Sequence, residues 1–423
     1  MSEIANFTSP SVPFTQSGSS PPADVPTPSS HDPGPGASTR AIHAGLRPDP
    51  ASGSILTPIH QTATYAQRGI LDTISEDGHT YSRCSNPTVT ALERNLAGLE
   101  GVPHALAFKT GLAAISTLLF TLLKQGDHVV AGEVIYGGSV RLLRDVLGSF
   151  GVETTFVDST DPEAVRAAVR ENTRLLFVET PANPTLRVCD LAALGRIAKE
   201  RGLRYVVDNT FLTSCLQPVF EHGADISILS TTKYVEGHDS TTGGALLLKD
   251  DELREALFVR RSALGNIQAP FDAWLTLRGS KTLPLRIRRH SDSALELARR
   301  LEAHPAVGRV HYPFLESSPD HDIARVQQTG GGGMLAFELD PSAVRPFLAG
   351  LEITTLAENL GAAETLITHP ATMTHSQIEP ADRERLGITE GLLRLSVGLE
   401  DVNDLWQDLA VALESAVCAE VSA

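Results

Sequence analysis

The sequence predicts an α/β fold with a mostly parallel sheet, and two observations support this class. Short apolar strands alternate with helix-like segments between Pro103 and Lys233. Repeated strand–helix units of this length form parallel sheets with helices on both faces. Two of the strands end near Asp208 and Lys233, at the carboxyl ends where ligands of such sheets bind. The chain of 423 residues also exceeds one typical domain, so we expect two domains.

Composition and charge exclude several classes of partner. A net charge of −16 argues against nucleic acid or an anionic membrane as the main partner. The four cysteines have no paired spacing, which favours a reducing compartment over a disulfide framework. No apolar stretch approaches membrane-spanning length, and the first residues do not have the pattern of a signal peptide. We therefore expect a cytoplasmic protein.

The chain begins with a segment rich in Ser, Pro and Gly, residues 1–38, that we predict to be disordered because it has few apolar residues to bury. The ordered chain is expected from Thr39, and a helix from Thr88 to about Leu99. Tyr81 and Arg83 precede this helix, one residue apart in extended chain, so their side chains point the same way. Together they can bind an anion, although a packed tyrosine beside a surface arginine is the alternative.

The central region contains the strand–helix alternation. The predicted elements are strand Ala105–Phe108, helix Leu112–Lys124, strands His128–Ala131 and Thr154–Val157, helix Pro162–Arg170, strand Leu175–Glu179, helix Leu191–Arg201, strand Arg204–Asp208, and a strand that contains Ile226, Ile228 and Leu229 and ends before Ser230. Five residues then fall at strand ends or in the loops that follow: Thr110, Tyr136, Asn183, Asp208 and Lys233. The turn Lys109-Thr110-Gly111 leads into the helix that begins at Leu112, and the free N–H groups at such a helix start suit a phosphate. This convergence predicts a ligand site at one edge of the sheet.

The C-terminal region is predicted to form a second domain. Its expected elements are a long helix Leu283–Ala303, strands Gly308–Val310, Met334–Glu338 and Leu392–Ser396, and a last helix from Asp401 to about Val417. The run Gly330–Gly333 precedes a strand, and the chain has no GxxxxGK[ST] motif, so we interpret the run as a flexible turn. The histidines show no metal-ligand spacing, and no metal is assigned.

The chemistry of Lys233 and Asp208 indicates a cofactor. Lys233 follows a buried apolar strand and three hydroxyl residues, so desolvation favours its neutral, nucleophilic amine, and the hydroxyls can bind a phosphate. This combination suits a lysine that holds pyridoxal phosphate (PLP) as a Schiff base. Asp208 lies 25 positions earlier and supplies the carboxylate that the pyridine nitrogen of PLP requires. A solvated loop lysine is the alternative for Lys233 alone.

Six motifs in a fixed order add a resemblance to a known family. They are Tyr81-Ser-Arg-x-x-Asn-Pro-Thr88, Tyr136-Gly-Gly138, Glu179-Thr-Pro-x-Asn183-Pro184, Asp208-Asn-Thr210, Ser230-x-Thr-Lys233-Tyr-x-x-Gly-His238 and Arg394-Leu-Ser-Val-Gly-Leu-Glu400. From about Thr39 to Trp406 the chain resembles the Cys/Met-metabolism PLP enzymes. That family includes cystathionine γ-synthase, cystathionine γ-lyase, methionine γ-lyase and O-acetylhomoserine sulfhydrylase.

The resemblance implies an architecture. It is PLP fold type I (aspartate aminotransferase-like), with a mostly parallel sheet domain and a smaller α/β C-terminal domain. The implied divisions are the tail 1–38, an N-terminal segment 39–88 that contacts the neighbouring subunit, a PLP-binding domain 89–284 and a C-terminal domain 285–423. The active unit would be a dimer, usually within a homotetramer, acting on a small amino-acid substrate.

The resemblance also implies a role for each matching residue. Lys233 would hold PLP and move protons, Asp208 would bind the pyridinium, Tyr136 would stack on the ring, and Asn183 would bond its 3′ oxygen. Gly111, Leu112, Ser230 and Thr232 would hold the phosphate, with Thr110 beside them. Tyr81 and Arg83 would reach the phosphate of the neighbouring subunit, and Tyr81 would also border its substrate. Arg394 would bind the substrate α-carboxylate with a bidentate fork.

Several positions, some that match branches of the family and some that depart from its pattern, bear on the choice of substrate. Asn359 replaces the usual Ser of Ser-Leu-Gly, which affects either a second carboxylate contact or the position of Lys233. Glu358 resembles the cystathionine-handling branches, and Arg141 matches a position that binds a distal carboxylate in cystathionine γ-synthases; for both, a surface salt bridge is the alternative. Gly138 stands where methionine γ-lyases carry a cysteine. Cys84 stands where some synthases carry an arginine, and we interpret it as a packing residue.

Three hypotheses follow from this sequence. The first is γ-elimination or γ-replacement on an amino acid with a leaving group at Cγ, most like cystathionine γ-lyase or γ-synthase, with methionine γ-lyase and O-acetylhomoserine sulfhydrylase as neighbouring alternatives. The second is a γ-lyase of a specialised pathway with a non-thiol leaving group. The third is a non-catalytic scaffold that keeps PLP for stability. The intact Lys233, Asp208 and Arg394 favour an enzyme over a scaffold.

Overall fold

The structure is a computed structural model that describes residues 34–70, 72–75 and 77–421. Residues 1–33 of the predicted tail lie outside the described residues. The chain from residue 34 opens with helix α1 (Ala37–His43), strands β1 (Gln67–Gly69) and β2 (Asp72–Thr73), and helix α2 (Pro87–Glu100). Helix α2 begins at a proline after Asn86, whose side chain accepts a hydrogen bond from the backbone N–H of Thr88. This cap fixes where the helix starts.

The central region follows the predicted alternation. Its elements are β3 (His104–Phe108), α3 (Gly111–Leu122), β4 (His128–Gly132), α4 (Gly137–Arg141), β5 (Glu153–Val157), α5 (Pro162–Ala168), β6 (Thr173–Glu179), α6 (Leu191–Arg201), β7 (Arg204–Asp208), α7 (Thr213–Leu216), β8 (Ile226–Leu229), β9 (Gly244–Leu248) and α8 (Asp251–Leu264). A π-helical segment, Leu142–Leu147, continues α4, and a 3-10 turn, Val219–His222, precedes β8.

The seven strands of this region form one sheet in the order β3-β9-β8-β7-β6-β4-β5. The run from β8 to β5 is parallel, as predicted, whereas β9 is antiparallel to both of its neighbours. Strand β9, which we did not predict, is buried along its whole length and joins β3 to the rest of the sheet. The start of β9 packs closely on the start of α3: a Cβ on Gly244 would clash with the carbonyl oxygen of Thr110.

Helices cover both faces of this sheet. On β4, Val129 and Ala131 pack in a core with Leu118 of α3, whereas Val130 packs on the opposite face with Leu194 of α6. This alternation along a strand that is buried on both sides is characteristic of parallel sheets in α/β proteins. The structure therefore confirms the predicted fold class.

The C-terminal region carries a second, smaller sheet. Its elements are α9 (Pro270–Ser280), α10 (Leu283–Glu302), β10 (Arg309–His311), α11 (His321–Gln327), β11 (Met334–Glu338), α12 (Pro341–Ala349), β12 (Thr355–Leu356), β13 (Leu366–Thr368), α13 (Pro380–Arg385), β14 (Leu392–Ser396) and α14 (Val402–Val421). The strand order is β10-β11-β14-β13-β12, with β14 antiparallel to both neighbours and only β12–β13 parallel. We propose that α10 connects the two domains, because the predicted boundary between residues 284 and 285 falls in its first turn.

The glycine run Gly330–Gly333 is buried, which corrects its interpretation as a flexible turn. A Cβ on Gly331 would lie 2.5 Å from the ring of Tyr312, and Gly332 has a φ of +79°. The Tyr312 hydroxyl also donates a 2.9 Å hydrogen bond to the carbonyl of Gly332. Glycine is required here for close packing and for a left-handed backbone conformation. Among the described helices, none has the length and apolar composition needed to cross a membrane.

Candidate active site

Asp208 and Lys233 lie at the carboxyl edge of the large sheet. Asp208 is the last residue of β7 and pairs in register with Ile228 of the parallel neighbour β8, and Lys233 follows β8 in the next turn. The hydroxyl of Thr210 connects the two segments: it donates to Oδ1 of Asp208 at 2.6 Å and accepts from the backbone N–H of Ser230 at 2.9 Å. The strand topology therefore brings the predicted acid and the predicted amine to one edge.

Two buried carboxylates stand side by side at this edge. Glu179 ends β6 and pairs in register with Asp208. Burial raises the pKa of Asp208 to about 6. Burial and the charge of Asp208 raise the pKa of Glu179 well above its usual value. Two adjacent buried carboxyl groups do not both ionise readily, so this pair retains a proton to a higher pH than a solvated carboxyl group does.

The amine of Lys233 is half-buried beside a buried guanidinium. Burial, together with the positive charge of Arg394, lowers its pKa to about 8, and the carboxylate of Asp239 opposes this shift. Its Nζ donates a hydrogen bond to Oδ1 of Asn359, in the loop after β12. A lysine with this pKa reaches its neutral form close to physiological pH, as a nucleophile or proton carrier must.

Arg394 lies on the central strand of the small sheet and points toward the large one. It is only 2% exposed, and burial lowers its pKa to about 10. One terminal nitrogen donates to Oδ1 of Asn183 at 2.9 Å, and the other contacts the Asn359 carbonyl at 3.3 Å and the Thr368 hydroxyl at 3.2 Å. Its Nε has no hydrogen-bond partner among the described residues. A buried, fixed guanidinium with a free donor is suited to binding a carboxylate.

Tyr136 borders the site from the turn before α4. Its ring is half-exposed, and its backbone N–H donates to Oε2 of Glu179 at 2.6 Å. A Cβ added to Gly138 would lie 2.5 Å from the ring of Tyr136, so the glycine gives the ring its space. A free aromatic face held by a backbone tether can stack on a flat ligand.

The start of α3 lies against the turn after β8. Thr110 caps the helix by accepting from the N–H of Ala113 at 3.0 Å, which leaves the N–H groups of Gly111 and Leu112 without a helical partner. A Cβ on Gly111 would lie 3.1 Å from Ser230, so the backbone at the start of α3 and the turn after β8 approach each other closely. The Thr232 hydroxyl is bonded to the backbone of Gly243. Free N–H groups at a helix start beside a serine are suited to binding a phosphate.

Four predicted residues lie at the periphery. Arg83 donates to the carbonyl of Ser262 at 2.7 Å and lies 5.4 Å over the ring of Tyr81, which is itself half-exposed. Arg141 is exposed and hydrogen-bonds the uncharged side chain of Gln377. Glu358 is exposed, and its charge acts on Arg394 by raising the pKa of that guanidinium. Neither Glu358 nor Arg141 forms a salt bridge within the described part of the chain.

Three residues of the site were not assigned by the sequence analysis. Glu179 stands in one of the six motifs, but no role was predicted for it. Its position at the end of a predicted strand, like that of Asp208, was the signal that could have identified it. Thr210 was also quoted without a role. Asp239 hydrogen-bonds the side chain of Asn359. No sequence pattern pointed to this contact, because the two residues are far apart in the chain.

Comparisons with known proteins identify the relatives of this chain. Residues 38–414 match the family of Cys/Met metabolism PLP-dependent enzymes. A cystathionine β-lyase of Coxiella burnetii is 47% identical over 381 residues, which cover 89% of this chain and 97% of that protein. A cystathionine γ-synthase of Mycobacterium leprae (97% of its length) and a cystathionine γ-lyase of Bacillus subtilis (99% of its length) are each 42% identical over 89% of this chain.

Solved structures agree with these matches. The crystal structure of metB from Corynebacterium glutamicum superimposes with a TM-score of 0.87 at 41% identity, over 90% of this chain and 98% of that one. The cystathionine γ-synthase of Xanthomonas oryzae, in complex with aminoacrylate and cysteine, gives a TM-score of 0.87 at 40% identity, over 90% of this chain and 99% of that one.

Proposed function

Because this chain belongs to the Cys/Met-metabolism family of PLP-dependent enzymes, we propose that it catalyses γ-elimination or γ-replacement on an amino acid with a leaving group at Cγ. The reaction we favour is that of a cystathionine γ-lyase or cystathionine γ-synthase. The observation that carries the proposal is the connection of Lys233 and Arg394 through Asn359, which bonds the amine with its side chain and the guanidinium with its carbonyl. The amine that would carry the proton and the guanidinium that would bind the substrate carboxylate therefore both contact Asn359.

The residues of the site fit PLP. Asp208 is a buried carboxylate whose Oδ1 accepts hydrogen bonds from the backbone and the hydroxyl of Thr210, and no cation pairs with it among the residues that the structure describes, so it suits a protonated ring nitrogen. The free N–H groups of Gly111 and Leu112, with Ser230 close by, suit the phosphate. Lys233 has the lowered pKa that covalent attachment requires. We assign Asn183 to the 3′ oxygen and Tyr136 to the ring face, with Thr110 and Thr232 shaping the phosphate end.

The protein residues carry the remaining steps. PLP, when bound, accepts the electrons released at Cα, provided that its ring nitrogen stays protonated. Asp208 keeps that proton in place, because its charge is buried and adjacent. Arg394 binds the α-carboxylate and so fixes which Cα bond faces the amine of Lys233. With a pKa near 8, Lys233 can take a proton at Cα and return it at another carbon within reach. Tyr136 assists at the leaving group.

The choice of substrate within the family rests on two peripheral charges. Cystathionine carries a second amino-acid group beyond its sulfur. Glu358 is exposed beside Arg394, and Arg141 is exposed on α4, so both are available to a distal ammonium and a distal carboxylate. The absence of a salt bridge on either residue, within the described residues, supports this assignment over a purely surface role. Asn359 then contributes to substrate binding through its carbonyl contact with Arg394.

We also propose that the active unit is a dimer, within a tetramer. Tyr81 and Arg83 form a stacked pair on the N-terminal segment, and their contacts in this chain do not include Lys233 or Arg394. A guanidinium held by an aromatic ring and one carbonyl retains donors for a phosphate of a neighbouring subunit. The segment 39–88 would supply this contact.

A second candidate is cystathionine β-lyase, favoured by the name of the relative that is 47% identical. The two cleavages differ in products: γ-cleavage of cystathionine gives cysteine, 2-oxobutyrate and ammonia, and β-cleavage gives homocysteine, pyruvate and ammonia. Methionine γ-lyase, O-acetylhomoserine sulfhydrylase and a specialised γ-lyase are further alternatives. Gly138, in place of the cysteine expected of methionine γ-lyases, disfavours the first of these.

The test is a substrate panel with product identification. The PLP-loaded enzyme is given cystathionine, methionine, and the O-succinyl, O-acetyl and O-phospho esters of homoserine, each ester with and without cysteine. Production of 2-oxobutyrate or new cystathionine supports the proposal, and pyruvate with homocysteine selects β-cleavage instead. Lys233→Ala is the control for background reaction and should turn over nothing. If the panel yields no product while PLP is bound, a specialised substrate or the scaffold hypothesis replaces the proposal.

A further inference from the structure

The side chain of Asn359 lies between the amine of Lys233 and the carboxylate of Asp239. Nζ of Lys233 donates to Oδ1 of Asn359, and Nδ2 of Asn359 donates to Oδ1 of Asp239. The three groups form a continuous hydrogen-bonded row that ends at the lysine. Neither the resemblance to the family nor the proposed function assigns a role to Asp239.

The chemistry of the row fixes the orientation of the amide. An ionised carboxylate only accepts hydrogen bonds, so the NH₂ group of Asn359 must face Asp239. The carbonyl oxygen of the amide must then face Lys233, to which it offers an acceptor and no donor. Without the carboxylate, the amide could rotate by half a turn and present its NH₂ group to the lysine. Asp239 therefore determines which half of Asn359 the amine meets.

The backbone of Asp239 is held in an uncommon conformation. Its φ is +54°, in the left-handed region that costs free energy for residues other than glycine. The loop is tied down around it: Oε2 of Glu236 accepts from the N–H groups of His238 and Ser240, both at 3.1 Å, and the N–H of Gly237 donates to the Lys233 carbonyl at 2.8 Å. The loop therefore delivers the carboxylate to one place beside Asn359.

We propose that Asp239 is a positioning residue that acts through Asn359 to present a hydrogen-bond acceptor, and no donor, to the amine of Lys233. This inference rests on the proposed function, since it concerns the amine assigned as the proton carrier. A neighbour that only accepts hydrogen bonds favours the protonated form of an amine, because the protonated form has more N–H donors than the neutral form. The row thus keeps Lys233 protonated to a higher pH than burial alone would allow.

The charged groups around the row determine whether the pKa of Lys233 rises or falls when Asp239 is removed. Lys233 is faced by Arg394, which lowers its pKa, and by Asp239, which raises it. Asp239 is faced by Glu364, Glu236 and Lys233, and its own pKa is raised, mainly by burial. Removing Asp239 removes a raising influence and frees the amide, so both effects lower the pKa of Lys233.

The experiment measures the pKa of Lys233 in the full-length protein after removal of PLP. Competitive acylation with acetic anhydride across a pH series, read by mass spectrometry on the Lys233 peptide, gives this value without any turnover. Asp239→Gly is the main variant, since glycine accepts the positive φ, and Asp239→Asn, which also tolerates it, is the second. We expect Asp239→Gly to lower the pKa of Lys233 by about one pH unit. Glu364→Gln, which removes a nearby charge that does not bond Asn359, should change it by less than about a third of that shift.

A double-mutant cycle tests whether the effect passes through the amide. In an Asn359→Ser background, Asp239→Gly should change the pKa of Lys233 by much less than it does alone. An unchanged pKa in Asp239→Gly, an equal shift in Glu364→Gln, or full additivity with Asn359→Ser would each overturn the inference. The labelling needs no substrate, so the two proposals can fail separately. A protein that shows the expected pKa shifts but turns over no compound of the substrate panel would contradict the proposed function and still support the role of Asp239.

Discussion

The backbone N–H of Tyr136 donates a 2.6 Å hydrogen bond to the buried carboxyl group of Glu179, and this contact ties the aromatic residue of the site to the end of a central strand. Glu179 also accepts a hydrogen bond from the backbone of Asn183, and it lies beside Asp208 in the sheet. One carboxyl group therefore holds the two loops that carry Tyr136 and Asn183, two of the residues assigned to PLP. Glu179 is itself buried.

Replacing Glu179 should loosen both loops. Glu179→Ala leaves two backbone donors without an acceptor in a buried place, so we expect the free energy of unfolding to fall by about 1–3 kcal/mol. Glu179→Gln keeps a carbonyl oxygen as an acceptor, so its free energy of unfolding should fall by less than that of Glu179→Ala. Urea denaturation measures the change, and Glu171→Ala, at an exposed glutamate just before β6, is the control. Equal losses in Glu179→Ala and Glu171→Ala would rule out the tether.

Gly138 should be required for the position of the Tyr136 ring. A Cβ at residue 138 would lie 2.5 Å from that ring and 3.0 Å from Leu112, whereas a Cβ on the neighbouring Gly137 meets nothing within 4 Å. We expect Gly138→Ala to displace the ring and lower kcat on the preferred substrate by about 10- to 100-fold. Gly137→Ala is the matched control in the same helix turn and should retain activity. Similar kcat values for the two variants would contradict this role of Gly138.

Arg83 should act on the site of the neighbouring subunit. We expect Arg83→Ala to weaken PLP retention, measured by dialysis and absorbance, while Arg345→Ala, at an exposed arginine of α12, has no effect. Co-expressing Arg83→Ala with Lys233→Ala gives mixed dimers in which one site has both residues intact. Random pairing should then restore on the order of a quarter of the wild-type activity in a two-fold symmetric dimer. No recovery in verified mixed dimers would show that the site is built within one subunit.

The elements that the sequence predicted best are those with local signals at both ends. Helix α6 was predicted at its observed bounds because Asp190 caps its start and Gly202 ends it with a positive φ. Strands β7, β11 and β14 were also placed at their observed bounds, and β8 at its observed end, since each is a short, mostly apolar run between polar segments. Strand β9 was missed because its antiparallel pairing interrupts the strand–helix alternation on which the prediction relied.

The site itself was predictable only where strand ends determine it. Asp208 and Lys233 follow neighbouring parallel strands, and sequence order alone brings them to one edge. The contact of Lys233 with Asn359 joins the turn after β8 of the large sheet to the loop after β12 of the small sheet, and no periodicity connects the two residues. The same holds for Asn359 and Asp239. Such contacts depend on how the two sheets pack, which a single sequence does not encode in local patterns.

Glu100 gives a pH-dependent prediction away from the site. It is the last residue of α2, where the helix carbonyls disfavour a negative charge, and its Oε1 has no hydrogen-bond partner among the described residues. Burial raises its pKa from 4.5 to about 7, against the opposing influence of Ser214, Ser227 and Arg40. The folded protein therefore binds this proton more tightly than the unfolded chain does. The resulting stabilisation is complete below pH 4.5 and is lost as the pH rises through about 7.

We therefore expect the wild type to lose roughly 2 kcal/mol of unfolding free energy, relative to Glu100→Gln, between about pH 5 and about pH 7.5. Glutamine keeps the shape of the side chain and cannot ionise, so it removes only the pH-dependent part. Urea midpoints at the two pH values measure the difference, and Glu414→Gln, on the exposed side of α14, is the control and should track the wild type. A gap between wild type and Glu100→Gln that is the same at both pH values would mean that Glu100 titrates alike in the folded and unfolded chain, and its burial at the end of α2 would then have no electrostatic consequence.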